Sequence, residues 1–317
     1  MRPLLVSCVL LGLAAPAAHA AGGPALPVQS GAGVSAPGSD LRYVAVRARH
    51  DTVVQRVRGD GGVERSRAIA GAYGIPGAAY DGSNTGLSFD ESTLVLAAMA
   101  PNSARTRLLV LDARSLRPRN PIVLRGYFTV DAVSPDGRWM YLIHYRSVSD
   151  NDYEVRAYDL ARGQMLAAPI VDPREPDEKM QGFPITRTVS ADGRWAYTLY
   201  AQGDGAPFIH ALDTAGRTAA CIDLDDLSSE TIAEARLVIA GGTLRVVGPE
   251  GDRALIDRRT FAVRPPGAER APAPAAARRE SSAEDGGSSS WWFALLAIVP
   301  LAGLAVVARR RRHPSSV

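Results

Sequence analysis

Val133-Ser134-Pro135-Asp136-Gly137-Arg138-Trp139 and Val189-Ser190-Ala191-Asp192-Gly193-Arg194-Trp195 are two copies of one pattern, and Leu87-Ser88-Phe89-Asp90-Glu91-Ser92 is a third, weaker copy. Each leads into an apolar, strand-like run, at residues 94–99, 140–144 and 196–200. Each then meets a second signature: Leu109-Val110-Leu111-Asp112, Arg156-Ala157-Tyr158-Asp159 or His210-Ala211-Leu212-Asp213. The first Asp precedes the second by 22, 23 and 21 residues, which marks an internal repeat.

Asp-Gly is a tight-turn dipeptide, because Gly accepts positive φ and Asp bonds its own backbone. It is placed between the first and second strands of a unit. The second Asp closes the third strand, as in Asp159-Leu160-Ala161-Arg162-Gly163, and a fourth strand follows, such as residues 121–124. No stretch carries a long 3.6-residue apolar period, so helices are minor. Weaker copies flank the three. Residues 43–47 and 53–58, with the turn Gly59-Asp60-Gly61-Gly62, form the first. Residues 237–240 and 244–247, with Gly241-Gly242 between them and Leu255-Ile256-Asp257 after, form the last. The total is five units of about 45 to 55 residues.

The Ser-x-Asp-Gly-Arg-Trp and Tyr-Asp-Leu-x-x-Gly elements resemble the YVTN, TolB and WD40-like propeller repeats of exported bacterial proteins. The resemblance spans most of residues 41–263. It implies an all-β fold, a β-propeller of five blades with four antiparallel strands each. A β-sandwich is the alternative, but it leaves the periodicity unexplained. Function does not follow from the fold, since propellers host enzymes, binders and scaffolds alike.

The two ends set an expected topology. Arg2, the apolar run at residues 4–15, Pro16 and Ala18-His19-Ala20 read as a signal peptide over residues 1–20, cut after Ala20. An uncleaved anchor is the rival, but the run is short for a span of about 20 residues. A lipoprotein is a second rival, through Leu5-Val6-Ser7-Cys8, but the apolar run continues past Cys8. Residues 291–308 carry no charge and would cover about 27 Å as a helix. That predicts one C-terminal transmembrane helix. Trp291 and Trp292 stand at one end and Arg309, Arg310, Arg311 and Arg312 at the other, which puts the basic tail, residues 309–317, in the cytoplasm. Residues 21–40 read as a flexible lead-in and residues 264–290 as a Pro/Ala/Ser-rich stalk.

Gly286-Gly287, the serines after them, the apolar segment and the terminal arginines resemble the GlyGly-CTERM sorting signal. That likeness implies cleavage near Gly286 and Gly287 by a rhomboid-type sorting protease, with delivery to the cell surface or medium. A permanent inner-membrane anchor with a periplasmic domain is the other reading.

The net charge of +3 drops to −2 for the exterior part once Arg2 and the four terminal arginines are set aside. A basic footprint for nucleic acid is therefore absent. After loss of Cys8, Cys221 stands alone, so core burial rather than a disulfide must hold the domain.

No catalytic, cofactor or zinc motif is legible among His50, His144 and His210. Asp150-Asn151-Asp152-Tyr153-Glu154 could offer oxygen ligands to calcium, but it lacks the glycine and distal Glu of an EF-hand loop, and a solvated loop explains it better. If Asp136-Gly137 joins strands one and two, the loops between strands two and three open on the opposite face, beside the blade connections. That face would gather His144, Tyr145, Arg146, Asp150 and Asp152, then Tyr200, Gln202 and Asp204, and the acidic stretch 172–178. Such a rim suits a peptide, a glycan or another protein; a hydrated loop set is the plainer reading. Trp139 and Trp195 share one register, which fits blade packing. Two functions compete: a surface-displayed binding module, and a propeller hydrolase or lyase with paired carboxylates at the channel.

Overall fold

The structure is a computed structural model that describes residues 23–99, 104–147, 152–177, 180–203 and 205–267. The signal-peptide site at Ala20, the pair Gly286 and Gly287 and the C-terminal apolar segment lie outside the described residues, as do Asp150 and Asp204.

The described chain is all-β, in five antiparallel sheets. The first holds β1 (Leu41–Ala48), β2 (Asp51–Arg58) and β3 (Val63–Ile69). The second holds β4 (Tyr73–Gly74), β5 (Thr93–Ala98), β6 (Arg105–Asp112) and β7 (Arg117–Arg125). The third holds β8 (Tyr127–Val133), β9 (Trp139–Ser147), β10 (Asp152–Asp159) and β11 (Gln164–Met165), with β12 (Met180–Gln181) also on β10. The fourth holds β13 (Phe183–Val189), β14 (Trp195–Ala201), β15 (Phe208–Asp213) and β16 (Thr218–Asp223). The fifth holds β17 (Arg236–Ala240), β18 (Thr243–Gly248), β19 (Gly251–Asp257) and β20 (Val263–Arg264). Sequential meanders of this kind, stacked face to face, are propeller blades.

The repeated sequence pattern has a common physical cause. In the third sheet Ser134 Oγ donates to Asp136 Oδ1 and accepts the Trp139 amide at 2.8 Å, while the Arg138 amide reaches Asp136 Oδ1 at 3.1 Å. Gly137 takes φ +68° and donates to the Ser134 carbonyl at 2.9 Å. The fourth sheet repeats every bond with Ser190, Asp192, Gly193 (φ +70°) and Trp195. The second sheet does so with Ser88, Asp90 and Thr93, and there Glu91 adopts φ +52° where the others use glycine.

The second signature is an Asp that accepts the amides of the turn after strand three. Asp159 takes Ala161 and Arg162, Asp213 takes Ala215 and Gly216, and Asp257 takes Arg259 and Thr260. The two signatures meet: Arg138 bonds Asp159 at 3.2 Å, and Arg194 bonds Asp213 at 2.6 Å. Arg138 also lies over the Trp139 ring, 5.1 Å from its centroid. One salt link thus ties the start of strand two to the end of strand three.

Strand alternation decides how the sheets pack. β5 reads Thr-Leu-Val-Leu-Ala-Ala and is buried on both faces. Leu94 and Leu96 join Tyr43, Val54 and Leu109 between the first and second sheets. Val95 joins Leu108, Met140 and Leu142 between the second and third. Trp139, Tyr141 and Ala157 meet Ala196 and Leu212 between the third and fourth. Leu199 and Ile209 meet Leu237, Leu244 and Ile256 between the fourth and fifth. No such cluster joins the fifth sheet back to the first among the described residues. At about 25 cal/mol per Å² of apolar area, these layers supply the dominant favourable term.

The lead-in expected to be flexible is paired from Val28 onward. Val34 exchanges backbone bonds with Tyr43 at 2.8 and 2.9 Å, Ser30 donates to Ala45, and Val28 pairs with Ile75. Residues 30–34 thereby run beside β1 of the first sheet, while Val28 runs beside the chain just after β4 of the second. The small residues of this stretch are a packing requirement: a Cβ on Gly33 (φ +78°) would sit 2.3 Å from the Tyr43 carbonyl oxygen.

Gly137→Ala should destabilise the chain by roughly 1–3 kcal/mol in a denaturant titration, from left-handed strain plus a Cβ placed 2.4 Å from Thr93 Oγ1. Gly203→Ala, with open space around it, should stay within about 0.5 kcal/mol of the parent.

Acid should act through the turn aspartates. Burial works to raise Asp159, but the amides of Arg162 and Ala161 and the guanidinium groups of Arg162 and Arg138 hold it at about 2, and the Ser115 hydroxyl and amide hold Asp112 at about 2. Both lie below the unfolded value near 3.9, so their contribution is complete above pH ~4 and is lost as pH falls towards ~2. Thermal melts should show that fall, and Asp159→Asn should lower the melting temperature at pH 7 while converging on the parent at pH 2.

Candidate functional site

The turn at Asp136-Gly137 joins β8 to β9, and the β9–β10 and β14–β15 connections leave the opposite edge of their sheets. The residues expected to form a rim there separate into three environments. His144 stacks on Phe128, with ring centroids 4.2 Å apart, and its Nδ1 lies 3.3 Å from Glu154 Oε1. Burial acts to raise Glu154, yet the Arg156 guanidinium at 2.9 Å and His144 hold its carboxyl below the usual range. Arg146 and Asp152 pair with each other at 2.6 Å.

Tyr145 and Tyr200 are not rim residues: they are only 6% and 2% exposed. Tyr145 sits edge-on to Tyr127 at 5.7 Å and contacts Tyr153, which meets Tyr200, and Tyr200 stacks on Phe208 at 5.1 Å. Parity explains the correction. Tyr145 shares its strand face with Tyr141, and Tyr200 shares its face with Ala196, so both point into the layer between the third and fourth sheets. Asp172, from the acidic connection, is also buried. It accepts Arg174 at 2.5 Å and the Cys221 amide at 3.0 Å.

The inner strands were the expected place for paired carboxylates. Among the described residues of β8, β13 and β17 and the inner rows 28–34 and 86–88, Asp131 is the one carboxylate. It is bound by Arg187 at 2.5 Å, and both side chains are nearly fully buried. His210 is buried behind them on β15 with neither ring nitrogen bonded, and burial pushes it below its ordinary value. No group of three His, Cys, Asp or Glu side chains is placed to hold a metal among the described residues.

A cavity of about 610 Å³ lies elsewhere on the loop-bearing face. Arg47, Arg49 and His50 come from the end of β1 and its turn, and Arg105 and Arg107 from the start of β6. Tyr127, Phe128 and Val130 of β8 and Ala97 and Met99 from the β5 end add apolar surface. Gln29 of the paired lead-in borders it and is anchored to the Tyr73 carbonyl at 2.6 Å. Alternation places Arg105 and Arg107 on the β6 face that carries Leu109 and Leu111, towards the first sheet.

Sequence reasoning missed this site. The available signal was a pair of Arg-x-Arg steps: Arg105-Thr106-Arg107, in which the start of β6 sends both guanidinium groups to one side, and Arg47-Ala48-Arg49, which runs from the end of β1 into its turn.

Breaking the buried pair should be costly. Asp131→Asn should destabilise the chain by about 3–5 kcal/mol, and the double change Asp131→Leu with Arg187→Met should recover most of that loss in the same unfolding titration.

No protein-family model and no curated protein matches the chain in sequence. In structure it is similar to hydrazine synthase of Kuenenia stuttgartiensis, with a TM-score of 0.41 and 14% identity over 74% of this chain and 77% of that one. It is also similar to the Cps50 (Swd1) β-propeller domain of Myceliophteria thermophila, with a TM-score of 0.40 and 13% identity over 74% of this chain and 66% of that one. A third likeness is BamB of Moraxella catarrhalis, with a TM-score of 0.38 and 18% identity over 72% of this chain. The matched part spans 61% of that BamB chain, less than two thirds of its length.

Proposed function

We propose that the chain is an exported five-bladed β-propeller that works as a binding module, with the cavity between the β1 turn, the start of β6 and β8 as its ligand site. The observation that carries this reading is the cavity itself. Its volume of about 610 Å³ falls in the range of small-molecule sites, and strand ends of three sheets wall it on the face where the loops gather. The blade number rests on the five meanders.

The hydrolase or lyase reading asks for two carboxyl groups about 5–10 Å apart, one of them free to act as an acid. Asp131 is committed to Arg187, and the cavity has no carboxylate in its wall. That favours binding over hydrolysis.

The terminal segments support export with a C-terminal membrane segment, kept as an inner-membrane anchor beside a periplasmic domain or removed by a rhomboid-type sorting protease. Mass spectrometry of the mature protein should find Ala21 at the N-terminus. A C-terminus near Gly287 would mean sorting and release, and an intact Val317 would mean permanent anchoring.

A thermal-shift screen of the full chain against envelope glycans, peptides and metabolites tests the binding site. A ligand at 100 times its Kd should stabilise the parent by about 2.7 kcal/mol. Ala98→Trp, which fills the cavity, should abolish that shift; a ligand whose shift survives Ala98→Trp would place the site elsewhere.

A further inference from the structure

We infer that the cavity is built for a small organic polyanion, a carbon skeleton bearing two or more carboxylate or phosphate groups. This rests on the reading of the cavity as the ligand site and adds its chemistry. Arg47, Arg49, Arg105, Arg107 and His50 line it, and no Asp or Glu does. Several arginines elsewhere in the domain pair with acids: Arg56 with Glu64, Arg146 with Asp152, Arg174 with Asp172 and Arg245 with Asp252. Among the described residues, none of the four cavity guanidinium groups has a hydrogen bond or ion pair. In a domain whose exterior charge is −2, four unpaired arginines gathered on one concavity form a local inversion of sign.

Each guanidinium offers a planar fork of donors that matches carboxylate and phosphate geometry, and two Arg-x-Arg steps offer two such sets. They rise from different sheets, so a ligand meeting both must carry its charges apart on a skeleton. A bare inorganic ion would reach one set. Phe128 and Met99 give the skeleton an apolar surface to lie on. Partial enclosure strengthens each charge contact relative to open water.

The test is isothermal titration calorimetry of the full chain with citrate and with inositol hexakisphosphate, against myo-inositol as the uncharged skeleton and inorganic phosphate as the bare ion. The inference expects one or both polyanions to bind, myo-inositol not to bind, and phosphate to bind at least tenfold more weakly. Arg47→Ala with Arg107→Ala should weaken polyanion binding at least tenfold, about 1.4 kcal/mol. Arg236→Ala with Arg259→Ala, exposed on the fifth sheet and its turn, should leave it unchanged. Circular dichroism of both double variants checks that they are folded.

Polyanion binding that falls equally in both double variants would be diffuse charge attraction and would overturn the inference. Binding of neither polyanion would overturn it too. If a neutral ligand from the thermal screen is then lost in Ala98→Trp, the cavity still stands as the site and only its anionic chemistry is wrong. If no ligand responds to Ala98→Trp, the cavity reading fails along with it.

Discussion

Two-sided burial is the constraint on which the rest of the structure depends. A sheet such as β4–β7 is apolar on both faces, so it is unstable unless another sheet covers each side. A chain of such sheets must stack them in sequence, and stacking in sequence requires each meander to start at the same height. The Ser-x-Asp-Gly turn does this. It closes by hydroxyl, carboxylate and amide bonds inside six residues, and its glycine lies so close to the preceding sheet that a side chain there would collide with Ser92 and Thr93. The Arg138–Asp159 link then fixes where the third strand ends. Local turn chemistry and long-range packing agree, as a minimally frustrated sequence requires.

Height control has a functional consequence. With the Asp136-Gly137 and Asp192-Gly193 turns on one edge, the blade connections and the strand two-to-three loops fall on the other. There the blades part enough to leave a cavity whose wall combines strand ends with the turn after β1. Strand ends are held by the sheet, so the guanidinium groups at the start of β6 are carried on rigid backbone. Aromatic packing of Tyr127, Tyr145, Tyr153 and Tyr200 fills the neighbouring gap between the third and fourth sheets. The same edge of the domain therefore has one filled gap and one open one.

The repeats, their Asp-Gly turns and the main apolar strands were legible in the sequence, because each rests on contacts within about 25 residues along the chain. What was hidden depends on distant or unpatterned contacts. The inner row at residues 28–34 has the composition of a linker, since close approach to β1 demands glycine at position 33 and leaves no hydrophobic signal. Tyr145 and Tyr200 were assigned to a rim because they sit next to loops, and only the pairing of β9 and β14 with their neighbours reveals which way they face. Arg47 and Arg107 lie 60 residues apart, and nothing in either segment announces the other.

Native-state hydrogen exchange on the full chain tests the central claim, that two-sided burial of the middle sheets holds the domain, most directly. The account predicts the slowest exchange in β5, β9 and β14, whose sheets have a neighbour on each side, and earlier opening in the fifth sheet, where β18 and β19 alternate between buried and half-exposed residues. Slowest exchange in the fifth sheet, or equal protection across all five, would contradict it.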